Sequence, residues 1–504
     1  MVLPHAPTTL DPHRAFLPAD RAVARQLYEP LLRFGPAAEP AAGAAIGAVP
    51  GEGATRWTFT LRPDARWSDG SALEPETYVQ GWLRVMSRDV PDDLFALFRP
   101  VAAAGLYRVG LVDAEAIGLR ATSPATFEVR LEAPAAHLPH VAALWLSAPL
   151  HPLAAEGARG ASGAGAPVGN GPFVLQGWDD GGTVSLQPNP HYWRGAPPGP
   201  LRFLAGSRAI DDALTDLAGS RAGLAPATPA DVVPVPEELA AEVLADPRLR
   251  DLLVRQPRLA TVWLTCNVTR PPLDNPLLRK ALAYAVDRRR YVAEVLGGAG
   301  LPAFSLLPLG AVGHDPQAGA AYDLRPDAAR ALLAAAGLEP EALRLTVTVP
   351  ATAAGRRGAA FLQHELARHL GLSLGISELD RYSYVRAFEH RHFELAFGGW
   401  EGPYPDPEGW FWLPFGAGKA GNRTGWESRA MDALWRQGDE TIDPGRRLDL
   451  YAAAQQIVLD EMPVVFLAQL ERLAVVHPRV RGLIPAPMDE FPGVDALATV
   501  RLTP

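Results

Sequence analysis

Short apolar runs of period two alternate along this chain with longer stretches that carry helical start and stop signals, which confines it to the α/β class with mixed sheets. Trp57, Phe59 and Leu61 point one way, as do Phe127, Val129 and Leu131, and again Leu345, Val347 and Val349. Each set suits a half-buried strand. Asn275-Pro276 supplies an N-cap and a first-turn proline ahead of Leu278, Ala281, Leu282 and Ala285, with Gly297-Gly298 closing the region. From Asp323 to Gly337 the grammar repeats, with Pro326 early and Ala329, Leu332, Leu333 and Ala336 on one stripe. Asp443-Pro444 opens a third helix, whose spacing predicts Leu448, Tyr451, Ala452 and Leu459 facing inward.

At 504 residues the chain is too long for one core and corresponds to about three structural units. Its single cysteine, Cys266, rules out an internal disulfide framework. Ala154 to Gly171 is small and Gly-rich, Ala222 to Pro236 is Pro-rich, and both read as connections. No stretch approaches 18 continuous apolar residues, so no membrane-spanning helix is expected. The opening Met1-Val2-Leu3-Pro4-His5 has neither the charged nor the apolar region of an export signal.

Several chemistries are disfavoured. The net charge of −9, without a basic block, argues against a large nucleic-acid footprint, which needs clustered cations. His364-Glu365-Leu366-Ala367-Arg368-His369 spaces its histidines five apart, about 140° around a helix, whereas zinc-protease histidines four apart share a face. A polar helix face is the expectation there. His390-Arg391-His392 could place two imidazoles on one side of a strand, but its charged neighbours favour a solvated edge. Gly160-Ala161-Ser162-Gly163 misses the nucleophile-elbow spacing, and neither Lys280 nor Lys419 sits in a phosphate loop. No catalytic set assembles, and no metal or cofactor is expected.

Aromatic residues concentrate late: Trp400, Tyr404, Trp410, Phe411, Trp412, Phe415, Trp426 and Trp435. The run Gly398-Gly399-Trp400-Glu401-Gly402-Pro403-Tyr404-Pro405-Asp406-Pro407 follows an apolar strand, Phe393 to Phe397, and its glycines and prolines are expected to stop that strand abruptly. A strand end with exposed backbone and aromatic faces is a usual place for ligand contacts in α/β folds. A rigid aromatic turn filling a gap is the alternative on these residues alone.

Five segments, in order, resemble the extracytoplasmic solute-binding proteins of ABC importers, in the class that takes peptides, nickel chelates and related solutes. They are Thr9-Leu10-Asp11-Pro12-His13 with Leu27-Tyr28-Glu29-Pro30-Leu31-Leu32; Trp57 to Arg62 with Trp67-Ser68-Asp69-Gly70; Pro167 to Phe173 with Asn189-Pro190-His191-Tyr192-Trp193; Asn267, Pro272-Leu273-Asp274 and Arg279 to Arg288; and Tyr404-Pro405-Asp406-Pro407 with Asn422. The resemblance implies a two-lobed periplasmic-binding-protein-like fold of type II, with an extra domain inserted in lobe one. Lobe one would comprise residues 1–47, 169–267 and 475–504, the inserted domain 48–168, and lobe two 268–474. Hinges would lie at Asn267 and Val475. A peptide or peptide-like solute would be held in an interlobe cleft by Phe16, Leu17, Pro18, Gly399, Trp400, Glu401, Pro403, Tyr404 and Asp406. A monomer would then deliver it to a membrane permease and its ATPase, outside the cytoplasm and without catalysis.

The sequence departs from that family at three places. Peptide binders usually carry, three residues after the tryptophan, an aspartate that pairs with the ligand's ammonium; here that position is Pro403, and Glu401 is the candidate substitute. An ammonium buried without a carboxylate would lose several kcal/mol to desolvation. Phe16-Leu17-Pro18 aligns with the opposing strand, where Pro18 removes a donor. About nine residues precede the Leu-Asp-Pro segment, where the family has a leader and a strand; truncation is favoured over a cytoplasmic ligand-sensing relative. A metal chelate, an opine or a glycoside stays open as solute, and a hydrolase using the same cleft is the remaining alternative.

Overall fold

The computed structural model describes residues 1–504 except 36–37, 52, 153–166, 221–229, 495–496 and 504. Most of the two stretches expected as connections, residues 154–166 and 222–229, therefore lies outside the described residues, as does the Gly160 to Gly163 tetrapeptide. Two compact units emerge: Met1–Gln256 with Glu440–Ile442 and Arg472–Pro504, and Pro257–Asp439 with Asp443–Glu471. No helix among the described residues is long and apolar enough to cross a membrane.

Unit 1 contains strands β1 (Val2–Leu3), β2 (Leu32–Phe34), β3 (Pro40–Ala42), β4 (Ala45–Gly51), β5 (Arg56–Leu61), β6 (Leu119–Ser123), β7 (Thr126–Arg130), β8 (Phe173–Trp178), β9 (Val184–Pro188), β10 (Leu201–Ala205) and β11 (Val232–Val235). One sheet runs β1-β10-β9-β8 and another β4-β5-β7-β6. In β5 Trp57, Phe59 and Leu61 are buried and their neighbours half-buried, the period-two pattern expected of this run. Phe59 and Phe127 face each other across β5 and β7, with ring centroids 6.0 Å apart, under the helix Pro75–Val85, which buries Tyr78 and Trp82. The stretch expected as an inserted domain thus has its own sheet, yet it clusters with the rest of unit 1. Asn170 accepts from the Glu29 N–H at 2.9 Å and donates to the Glu29 carbonyl at 2.8 Å, while the Ser68 N–H reaches the Gly169 carbonyl at 2.7 Å. These buried bonds tie the two sheets together, because an unpaired group there would be costly.

Unit 2 is built on β12 (Leu253–Cys266), β13 (Gly300–Pro302), β14 (Leu345–Pro350), β15 (Leu374–Leu379), β16 (Leu395–Glu401) and β17 (Val464–Val476), with β12 and β17 each beginning or ending in unit 1. The order is β17-β12-β16-β14-β15, with β13 on β17. β14 pairs in parallel with both β15 and β16, whereas β12 and β16 are antiparallel, giving the mixed sheet expected of an α/β chain. In unit 1, β11 pairs with the end of β17, Val233 opposite Val475. A final short pair joins β18 (Val480–Arg481) to β19 (Arg501–Leu502).

Several local expectations shift in register. Asn275 caps the helix Pro276–Tyr284, its side chain accepting from the Leu277 N–H at 2.9 Å, but that helix stops well before Gly297. A second helix, Arg288–Glu294, starts on its own cap, Asp287. The break is held by Arg288, fully buried, which donates to the carbonyls of Ala283, Val286, Ala303, Tyr322 and Phe466. Asp443 caps the helix Pro444–Glu461 as expected, yet the buried residues are Leu450, Tyr451, Ala454, Gln455, Val458 and Leu459; Leu448 and Ala452 are exposed. Glu365 is also not on a solvated face. It is fully buried, accepts the Asp287 N–H at 2.8 Å and pairs with Arg290 at 2.6 Å.

Phe16-Leu17-Pro18 is not a strand. Pro18 is the first residue of the helix Pro18–Leu27, where its missing N–H costs nothing, and Leu17 is the N-cap position. The Phe16 N–H donates to the Arg14 carbonyl and its carbonyl accepts from Arg21 at 2.9 Å, so this backbone is spent inside unit 1. Nor does the chain divide at Asn267. It crosses between units after Gln256 and again after Glu471, earlier on both β12 and β17 than the expected hinge residues. Asn267 sits just past the end of β12, where its buried amide donates to the carbonyls of Arg391 and Phe393, each at 2.9 Å. Val475 is a fully buried residue of unit 1.

Candidate functional site

β16 is paired along its whole length on one side only. Against β12 the register runs from Cys266 opposite Leu395 to Ala260 opposite Glu401, while β14 meets only Leu395 and Ala396. Among the described residues, the other edge of Phe397–Glu401 therefore carries no paired strand. The expected stop at Gly398 does not occur, and the strand runs on to Glu401 because glycine is what lets β12 and β16 approach. A Cβ on Gly398 would lie 2.4 Å from Thr265 Oγ1, and one on Gly399 2.8 Å from the Thr261 carbonyl oxygen.

Alternation of an antiparallel ladder decides which backbone groups face that open edge. The Gly402 N–H donates to the Leu259 carbonyl at 2.8 Å, so Gly402, Trp400 and Gly398 bond toward β12. Phe397, Gly399 and Glu401 then direct their N–H and C=O groups the other way. The Tyr384 hydroxyl confirms the direction, donating to the Phe397 carbonyl at 2.5 Å. Burial pushes that hydroxyl's pKa upward, which keeps it a donor. Beyond it lies Gly399, exposed, with its backbone groups turned outward.

The side chains around this edge divide into presented and internal. Trp400 is half-buried, and its indole N–H donates to the Gly409 carbonyl at 2.7 Å, fixing the ring against the first turn of the helix Glu408–Phe415. Glu401 is exposed but gripped by Arg258 of β12, Nε to Oε1 at 2.9 Å and Nη2 to Oε2 at 2.7 Å. Pro403 is half-buried. Tyr404 and Asp406 are internal. Tyr404 donates to Glu408 Oε2 at 2.6 Å, and burial pushes its hydroxyl well above the usual range. Asp406, with no exposed surface, takes two bonds from Arg447, at 2.7 and 3.0 Å, and accepts the Glu408 N–H at 3.0 Å. Burial disfavours the Arg447 charge, but the Asp406 carboxylate outweighs it and holds the guanidinium pKa above normal.

Most of the late aromatics build the interior of unit 2: Trp410, Phe411, Phe415, Trp426 and Trp435 are buried, with Phe411 stacked 5.6 Å from Tyr451. Of the residues predicted for the site, Gly399, Trp400, Glu401 and Pro403 gather at the strand end, Tyr404 and Asp406 brace it from inside, and Phe16, Leu17 and Pro18 belong to unit 1. Sequence reasoning missed Arg258, Tyr384, Glu408 and Arg447. Each is far from its partner in the chain or lies in an ordinary helix, so only the Tyr404–Glu408 spacing, four apart at a helix start, was a readable signal. His390 and His392 lie after the helix Arg381–Glu389, exposed, with ring centroids 5.9 Å apart. They sit on a turn in which Arg391 is left-handed (φ 56°), not on a strand.

Residues 48–422 match the middle region of the bacterial extracellular solute-binding proteins, family 5. The chain is 24% identical over 469 residues to the oligopeptide-binding protein OppA of Bacillus subtilis, covering 91% of this chain and 85% of that one. It is 24% identical over 487 residues to the periplasmic murein peptide-binding protein MppA of Escherichia coli, covering 94% and 88%. Among solved structures, the unliganded open form of the murein tripeptide-binding protein MppA superposes with a TM-score of 0.87 at 22% identity, over 99% of this chain and 96% of the other.

Proposed function

Because the chain belongs to the bacterial extracellular solute-binding proteins of family 5, we propose that it captures a peptide or peptide-like small solute and hands it to the membrane permease and ATPase of an ABC importer. The observation that carries the peptide reading is the open edge of β16. Outward backbone groups at Gly399 can pair with an extended ligand as an added strand would, giving affinity from main-chain bonds without dictating side chains. The half-buried face of Trp400 adds apolar contact beside it. In this reading binding and release are the whole of the activity and the protein works as a monomer outside the cytoplasm; the word binding in both relatives' names, and periplasmic in that of the Escherichia coli protein, support the binding role and the location.

One observation favours a second reading. The exposed carboxylate at the open edge, Glu401, is already held by Arg258, so a free ammonium finds no unspent acid there. A solute with a blocked amine, or a non-peptide such as an opine, a chelate or a glycoside, would lose nothing by this. Denaturing the purified protein and identifying released small molecules by mass spectrometry, followed by calorimetric titration of the compound found, separates the two. Peptides with free amino termini support the first reading, and a non-peptide the second. Turnover of a peptide panel that survives repurification would overturn both.

A further inference from the structure

β16 is open at Gly399 but closed one pairing step earlier, at Phe397, and the closure comes from a side chain. Its neighbour β14 cannot supply it. The Thr346 N–H is turned toward β16, donating to the Glu394 carboxylate at 2.8 Å just before that strand begins, whereas the Ala351 N–H is turned toward β15, donating to the Leu379 carbonyl at 2.8 Å. Alternation therefore aims the backbone nitrogens of Thr348 and Pro350 at β16. Pro350, the last residue of β14, has no N–H to give. The next rung of the parallel ladder, to the Phe397 carbonyl, is thus missing from the main chain.

Tyr384, in the helix Arg381–Glu389 that follows β15, provides the donor instead, its hydroxyl 2.5 Å from the Phe397 carbonyl oxygen. An added strand would place an N–H nitrogen about 2.9 Å from that oxygen, where the phenol already stands. A carbonyl has a second lone pair, but a bond to it from the same side would need the space that the ring fills. The ring is held in place. It stacks on Phe388, with centroids 6.0 Å apart and planes within 14°, and Phe388 stacks on the buried Phe393 at 5.5 Å and 19°. Asp380 fixes the start of the helix, accepting from the Tyr382 and Ser383 N–H groups at 3.0 and 3.1 Å.

We propose that Tyr384 is a specificity-determining residue that ends the pairing edge at Phe397, so that an extended ligand pairs from Gly399 and a peptide needing one more pairing step finds no acceptor. This rests on the peptide reading of the β16 edge. The test is calorimetric titration of the whole protein with trialanine and pentaalanine, each free and N-acetylated, so that the state of the amine is controlled separately from length. The quantity read is the ratio of the two affinities within one protein. In Tyr384→Ala, which vacates the space and frees the carbonyl, the ratio of pentaalanine to trialanine affinity should rise about three- to tenfold over the natural chain, the effect of one main-chain hydrogen bond. Tyr384→Phe, which keeps the ring in place, should retain the natural ratio. A tyrosine that only braces the strand would change both affinities together, so saturable binding with the same ratio in Tyr384→Ala as in the natural chain overturns this assignment alone. No saturable heat from any of the peptides, in any of the proteins, overturns the peptide reading and the assignment with it. If Tyr384→Ala does not fold, Tyr384→Leu, which keeps an apolar side chain beside Phe388 but has no hydroxyl for Phe397, decides in its place.

Discussion

Arg258 and Glu401 join neighbouring strands through two parallel hydrogen bonds, Nε to Oε1 at 2.9 Å and Nη2 to Oε2 at 2.7 Å. The pair lies at the end of the β12–β16 ladder, beside the open edge, and neutralises the exposed carboxylate there. An exposed pair of this kind contributes only about 0.2 to 1 kcal/mol, so breaking it is expected to change ligand preference more than stability.

Arg258→Gln is therefore expected to release Glu401 for a ligand ammonium. Calorimetry with a free-amine tripeptide and its acetylated form should show the preference moving toward the free amine by about two- to fivefold. No movement would mean that Glu401 does not face the ligand.

Gly402→Ala should damage unit 2 by overpacking alone. The added Cβ would sit 2.5 to 2.7 Å from the fully buried indole of Trp410, which must shift. Overpacking of this kind costs about 1 to 3 kcal/mol, readable as a lowered urea midpoint.

Asp406→Ala should be more severe. It leaves Arg447 charged and nearly buried without the carboxylate that holds it, and removes the acceptor for the Glu408 N–H. Breaking a buried pair from one side costs about 3 to 5 kcal/mol. Equilibrium denaturation of the variant is the check, and a loss near zero would show that water replaces the carboxylate.

His13 makes stability depend on pH. Burial pushes its pKa down to about 4, Asp11 and the Ala148 carbonyl opposing this and Arg84 adding to it. The unfolded chain takes up that proton near pH 6.5, before the folded one does. The contribution is thus complete above about pH 6.5 and is lost as pH falls toward 4, by about 3 kcal/mol at most. Urea midpoints at both ends should differ less in His13→Gln than in the natural chain.

Strands and caps were legible in the sequence wherever local chemistry decides them. Period-two burial in β5, the Asn275 and Asp443 caps and the left-handed Gly337 after its helix all follow from neighbouring residues. The inward face of Pro444–Glu461 was misread because Leu448 is apolar but exposed, and only packing distinguishes it from Leu450. Phe16-Leu17-Pro18 was misread as a strand because a proline that cannot donate suits a strand edge and a helix start equally well.

By itself, then, the sequence determined the class, the alternation of elements, and the strand-end segment from Gly399 to Asp406, since glycine, proline and apolar spacing act within a few residues. Tertiary structure alone decided which edge of β16 is open, that Arg258 occupies Glu401, and that Tyr404 and Asp406 face inward instead of outward. Those outcomes depend on partners more than a hundred residues away, as with Arg258 and Glu401, or on the packing that surrounds each side chain. No local pattern encodes such a distance, because the chain is folded back by burial of the whole core and the pairing is settled only there.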